Sequence, residues 1–380
     1  ASMSTSFCYV DFAEESRAFM IRKLTWGFLV VLISLLFVGE VFADPAGDLS
    51  CADVVGINIH LSRRPQFHQM VSKASFGWVR VDFNWRDIHQ KNKETGEDQF
   101  DWEKTDTVVQ LAQTQGLKIF ATLAYAPVWA RQESCSDSKG CPPKSVSAWT
   151  RFVKEAVTRY STVEKWGLWN EPNLKEFWLG TMNEFVDRIL LPGYQAIKEV
   201  NNKLEVVGPD LAFGEDHNWR QWLKRIARRG MGGFDIFSFH VYANNRDDLD
   251  GDNRKDTDGD FAKILTTRVF PSLQSSGILK AGKKIWLTEF GWRTHDPKVV
   301  DQADQAEYIV GVLKRVITSR QDRGGLNWLD KVFVYALVDD NVEGSKDKWG
   351  LFEGKHKDFA PKLSYYAVKK YLNSVSGQCQ

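Results

Sequence analysis

Short runs rich in β-branched and aromatic residues recur along the chain, and the stretches between them carry apolar residues at helical spacing. Eight runs read as strands: 54–59, 78–83, 118–124, 165–170, 205–209, 234–242, 284–290 and 331–338. Helical patterns occupy 102–115, 149–160, 185–200, 221–229, 302–320 and 361–372, while 65–75 is a short helix at best. Strand followed by helix, repeated around eight strands, predicts an α/β fold of the (β/α)8 TIM barrel type. No linker rich in Pro, Gly or Ser follows Asp53, so residues 44–380 read as a single domain.

The first 43 residues stand apart from that pattern. Residues 1–19 show no periodicity and read as an extension. Ile21-Arg22-Lys23 then precedes an apolar core at 24–38, and Val41-Phe42-Ala43 precedes Asp44, the order of a secretory signal peptide. Gly39 and Glu40 stop the apolar run short of the roughly 20 residues a spanning helix needs, so cleavage after Ala43 is favoured over an anchor. The expected location is secreted or periplasmic. An uncleaved segment would instead tie the chain to the inner membrane, its one route to membrane contact.

Export makes the four cysteines that remain once Cys8 is set aside with the leader informative, because disulfides persist in oxidising compartments. Cys135 and Cys141 bracket a short polar loop and are the favoured local pair. Cys51 precedes the first strand and Cys379 follows the last helix, where a bridge would staple the ends of a closed barrel. Connectivity is not fixed by sequence, and unpaired thiols are the alternative.

The net charge is +1 in 380 residues, which gives no reason to expect nucleic acid or an anionic membrane as partner. A neutral oligomer or polymer fits. Fifteen Trp is a heavy load; indole faces stack on the apolar face of a pyranose, although most of them should be core.

Barrel chemistry sits at the carboxyl ends of strands. Glu171 ends the fourth strand and Glu289 the seventh, which brings two carboxyls to one rim. Glycoside hydrolysis uses such a pair, one protonated to donate to the leaving oxygen and one ionised to attack or stabilise the sugar cation. Arg80 lies in the second strand, Asn58 and His60 end the first, and His240 and Tyr242 end the sixth. The run 247–260 carries acids at every second residue, among them Asp248, Asp250, Asp252, Asp256 and Asp258, a spacing calcium loops use. It is not an EF-hand: Asn253 holds the glycine position and the closing Glu is missing. Structural calcium, a solvated acidic loop and a subsite for a cationic substrate all fit these residues. Catalysis itself should need no metal or other cofactor, since zinc-ligand spacings and glycine-rich phosphate loops are absent from the sequence.

Asn170-Glu171-Pro172 and Thr288-Glu289-Phe290-Gly291 resemble the strand-four and strand-seven motifs of clan A retaining glycoside hydrolases. The longer string Leu168-Trp-Asn-Glu-Pro-Asn173, followed by Phe177-Trp178, is similar to family 39 and to bacterial exopolysaccharide endoglycosidases. Further segments that resemble the family are Val79 to Phe83, Ala124 to Trp129, Ser238 to Tyr242 and Pro361 to Tyr366. The resemblance implies Glu171 as acid/base, Glu289 as nucleophile, and Asn170 on the sugar 2-hydroxyl. At the same rim His240 or Tyr242 can orient Glu289 and the Arg80 charge can keep that carboxylate ionised, while Trp129, Trp178 and Trp292, which follow strand ends on that face, are the candidate sugar platforms. The implied activity is retaining β-glycosidase action on an oligo- or polysaccharide, endo-acting on bacterial exopolysaccharide. A transglycosylase would use the same pair, and a non-catalytic sugar-binding barrel for polysaccharide export is the reading from another class.

Overall fold

Large aromatic side chains fill the floor of the barrel. Trp78, Phe120, Val207, Ile236, Trp286 and Phe333 form a separate buried cluster, with the Trp78 and Trp286 rings edge to face at 5.6 Å. Room for so much ring volume comes from small residues opposite. A Cβ at Gly56 would lie 2.3 Å from the Phe333 ring, so a larger residue there would displace it. Above this floor the interior changes to polar side chains, and the site lies there.

The computed structural model describes residues 51–376 apart from 136, 215–216, 243–257, 295–299, 323–325 and 341–347. Eight parallel strands close the barrel: β1 (Val55–Asn58), β2 (Trp78–Asn84), β5 (Lys118–Ala124), β6 (Lys165–Leu168), β7 (Glu205–Ala212), β8 (Ile236–Tyr242), β9 (Lys284–Gly291) and β10 (Lys331–Val334). They follow one another around the wall in chain order, and β10 pairs with β1. Helices between them bury apolar faces on the strands; in Val146–Arg159 these are Trp149, Phe152, Val153, Ala156 and Val157, and Ser145 caps the start through Ala148 N.

All eight expected strands are present, with shifted ends. β7 runs past Pro209 to Ala212, although proline removes a ladder donor. A register shift against β8 between Gly208 and Leu211 absorbs it, and Asp210 adopts a left-handed φ of 52°. β10 stops at Val334, four residues short of the expected end. Two elements were not anticipated. An antiparallel hairpin, β3 (His89–Lys91) with β4 (Asp98–Phe100), lies between β2 and the next helix. A helical stretch from Asp258 through Ser276, with a π-turn at Leu265–Val269, connects β8 to β9.

The Cys135–Cys141 bridge forms. The leader over 1–43 and Cys379 lie outside the described residues, as do Asp248, Asp250, Asp252 and Asp256 of the acidic run and the side chain of Asp258.

Candidate active site

Glu171 is delivered by an unusual turn. After β6 ends at Leu168, Trp169 and Glu171 both take left-handed conformations, φ 75° and 43°, which non-glycine residues seldom adopt. The surroundings hold them there. Trp169 N donates to Leu123 O at 2.8 Å, its indole donates to Phe177 O at 2.8 Å, and Glu171 N donates to Asp210 O at 3.0 Å. Strain held in this way is characteristic of functional turns. Glu289 instead lies within β9, where the register slips by one residue against both β8 and β10 between Leu287 and Phe290, a bulge that helps aim it at the interior.

Both carboxyls are buried, and an oxygen of each lies within 4.8 Å of the other and of a His240 nitrogen. So close an approach suits a retaining pair, whose carboxyls stand roughly 5–5.5 Å apart, better than an inverting pair at roughly 6.5–9.5 Å.

Arg80 organises the floor of this site. It is 2% exposed, and its guanidinium donates to Glu289, to Asn58 Oδ1 at 2.9 Å, to Asn170 Oδ1 at 2.8 Å and to Asp210 Oδ2 at 2.9 Å. A planar fork with several donors can serve four acceptors at once, which a lysine cannot. Asp210 is fully buried and also accepts from Thr288 Oγ1 at 2.8 Å, so two acids share the Arg80 charge. Asn58 spends its amide on Thr288 O and Val334 O and is a structural brace. With its Oδ1 committed to Arg80 and its amide directed to the Tyr125 hydroxyl, Asn170 has one remaining N–H to offer a sugar hydroxyl.

Glu289 accepts from Arg80 on one oxygen and from the Tyr242 hydroxyl on the other. Burial pushes its carboxyl above the ordinary value and the Glu171 charge adds to this, while His240, Arg80 and the Tyr242 hydroxyl pull it back without cancelling the rise. His240 is fully buried, with Nδ1 2.8 Å from Glu171 Oε1 and 3.4 Å from Glu289 Oε2. Burial alone would lower its pKa; the charges of Glu289, Glu171 and Asp210 outweigh that, and the net shift is upward. Burial and the Glu289 charge keep the Tyr242 phenol protonated. Glu171, His240 and Glu289 could also bracket a metal ion. Both Glu289 oxygens already accept hydrogen bonds, one of them from the cationic Arg80, which argues against a further cation there.

The pair opens into a cavity of about 1900 Å³. A model of glycosyl hydrolases family 39 matches residues 58–319, a span that holds both glutamates. The chain belongs to that family. A β-xylosidase of Caldicellulosiruptor saccharolyticus is 31% identical over 156 residues, 38% of this chain and 31% of that protein. A β-xylosidase of Geobacillus stearothermophilus is 28% identical over 111 residues, 27% of this chain and 21% of that protein. The chain thus spans less than a third of the length of either of these two curated relatives. Among solved structures, a monomeric β-xylosidase from Caulobacter crescentus gives a TM-score of 0.65 at 20% identity, covering 87% of this chain and 70% of that one. A family 39 enzyme from Bacteroides cellulosilyticus gives 0.60 at 19%, covering 86% and 65%. At such identities these likenesses concern the fold.

In this family 39 barrel, Glu171, Glu289, Asn170, Arg80, His240 and Tyr242 converge as the sequence suggests. His60 also reaches the cavity, its Nδ1 2.6 Å from Asp82 and its ring edge-on to Tyr335 at 5.5 Å. The tryptophan platforms need correction. Trp178 and Trp292 are 1% and 0% exposed. Trp178 packs on Trp169 and Phe185, with its indole satisfied by Thr181 O at 3.1 Å, and Trp292 packs on Phe261 and Tyr308. Trp129 is partly exposed but stands against His89 and Trp85 away from the cavity, donating to His89 O at 3.1 Å. The aromatic wall is made by Tyr125, Phe177, Tyr335 and Trp349, with Trp349 4.7 Å from the Tyr242 ring. Asp210 and Asp82 were also missed. An Asp beside a Pro in an apolar strand was the available signal for the first.

Proposed function

We propose that this chain hydrolyses β-glycosidic bonds of a polysaccharide with retention of configuration, using Glu171 as acid/base and Glu289 as nucleophile. The observation that carries the reading is the close approach of these two carboxyls under the donors of Arg80 and Tyr242. Glu171 gives its proton to the leaving oxygen while ionised Glu289 attacks the anomeric carbon, and a glycosyl ester forms. Esterification removes the Glu289 charge, so Glu171, now ionised, can take a proton from water. That water attacks the anomeric carbon, and Glu289 departs as a carboxylate. Asn170, through the amide N–H not given to Tyr125, would bind the 2-hydroxyl as positive charge develops.

For substrate we favour endo-cleavage within a bacterial exopolysaccharide, following the resemblance of the Asn-Glu-Pro region. The cavity volume supports engagement of several sugar units, since it exceeds the roughly 300–1,000 Å³ of ordinary small-molecule sites. The β-xylosidase relatives favour a second reading, cleavage of β-xylosides. Export to an oxidising compartment belongs to the same proposal and is supported by the Cys135–Cys141 bridge.

The test is digestion of a panel of bacterial exopolysaccharides and xylo-, manno- and gluco-oligosaccharides, with products sized by mass spectrometry and Glu171→Gln as control. Internal fragments of an exopolysaccharide, released by the unmutated chain alone, are expected. Release of single xylose units would move the substrate to the second reading, and binding without cleavage of any glycan would overturn hydrolysis.

A further inference from the structure

The loop closed by Cys135–Cys141 is docked on the segment that follows Glu171. Gly140 lies so close to that segment that a Cβ on it would stand 2.9 Å from Glu176 O and 3.0 Å from the backbone of Phe177 and Trp178. Leu179 N donates to Gly140 O at 2.9 Å. Substitution at Gly140 would therefore push the two chains apart. The neighbouring Lys139 extends its ammonium to Glu176 Oε1 at 2.5 Å and over the Phe177 ring, 4.4 Å from the centroid. Its side chain keeps a third of its surface, and Lys139, Glu176, Phe177 and Tyr125 all line the cavity.

We propose that Lys139 and Glu176, held in place by the disulfide-closed loop, bind the hydroxyls of the sugar on the leaving-group side of the scissile bond. This rests on the glycosidase reading above. A proton donor must face the leaving oxygen, so the sugar attached there lies over the chain that continues from Glu171, where Leu174 N returns to Glu171 O at 2.9 Å and Phe177 N to Leu174 O at 3.0 Å. The ammonium has donors beyond the one given to Glu176, and the carboxylate has lone pairs to spare. A hydroxyl both donates and accepts, so a Lys–Glu pair at a half-open wall matches a neutral sugar better than an apolar aglycone. The ring of Phe177 excludes water beneath the pair.

The experiment compares each variant on two substrates: an oligosaccharide from the panel that the unmutated chain cleaves, and the 4-nitrophenyl glycoside of the same sugar, whose leaving group has no hydroxyls. In Lys139→Met, kcat/KM on the oligosaccharide should fall about tenfold further than on the aryl glycoside, mostly through KM, as expected for losing hydrogen bonds to a charged group. Lys139→Arg should recover part of the difference, and Cys135→Ser with Cys141→Ser should reproduce it while Tm is followed as a control on folding. Equal losses on both substrates in Lys139→Met would overturn this inference alone. If the unmutated chain cleaves neither substrate class, the glycosidase reading falls and this inference falls with it.

Discussion

Arg80 on β2 and Glu289 on β9 form a buried ion pair across the barrel interior, and the same guanidinium holds Asn170 and Asp210. Strands on different sides of the barrel are thereby joined through one charge directly beneath the reacting centre. Arg80 is the group that fixes both the position and the charge of the proposed nucleophile.

Removing that charge should therefore cost both catalysis and stability. Arg80→Met leaves Glu289 and Asp210 buried without their shared cation, a loss of about 3–5 kcal/mol by comparison with other broken buried pairs. We expect a clear fall in Tm and in kcat, measured by thermal denaturation and steady-state kinetics. Arg80→Lys should keep part of the stability but little turnover, because one ammonium cannot reproduce the fork; wild-type kcat in Arg80→Lys would contradict this role.

The pH dependence follows from the environment of Glu289. Its carboxyl must be ionised to attack, and burial raises it above the ordinary value of about 4.3. The acid limb of kcat/KM should therefore lie above that value. His240 supplies the largest opposing pull, so His240→Gln should move the limb to higher pH. On the stability side, a raised carboxyl contributes fully below its ordinary value and loses that contribution as pH rises through the folded one, so Glu289 costs stability near neutrality. An acid limb that moves downward in His240→Gln would contradict the assignment.

Trp178 should behave as a core residue despite its place beside the catalytic turn. Trp178→Ala is expected to cost about 3–5 kcal/mol, read as a lower denaturation midpoint, with substrate affinity affected only through the fold. A stable variant with selectively raised KM would restore the platform reading.

Much of this architecture is legible in the sequence because barrel strands are short apolar runs, and a charged residue ending or interrupting one is conspicuous. Glu171, Glu289 and Arg80 stand out for that reason. Asp210 does not: Pro209 reads as a strand end, and only the register shift against β8 lets the strand continue. The hairpin His89–Lys91 with Asp98–Phe100 escapes notice because its strands are three residues long and largely polar. Tryptophan fails differently. An indole suits both a core and a sugar face, and the choice at Trp178 turns on whether its N–H finds a buried acceptor, here Thr181 O. The wall residue Trp349 reaches the site from after β10, through pairing of Leu351 and Phe352 with the 336–337 backbone, a long-range contact that no local pattern announces.

Double displacement through Glu289, with Glu171 as acid/base, would be recorded in the anomeric configuration of the first product. Proton NMR of a β-glycoside from the panel during early turnover should show the β-anomer first, with the α-anomer growing in later by mutarotation, and Glu289→Ala should abolish the signal. Initial appearance of the α-anomer, or undiminished turnover in Glu289→Ala, would contradict the account.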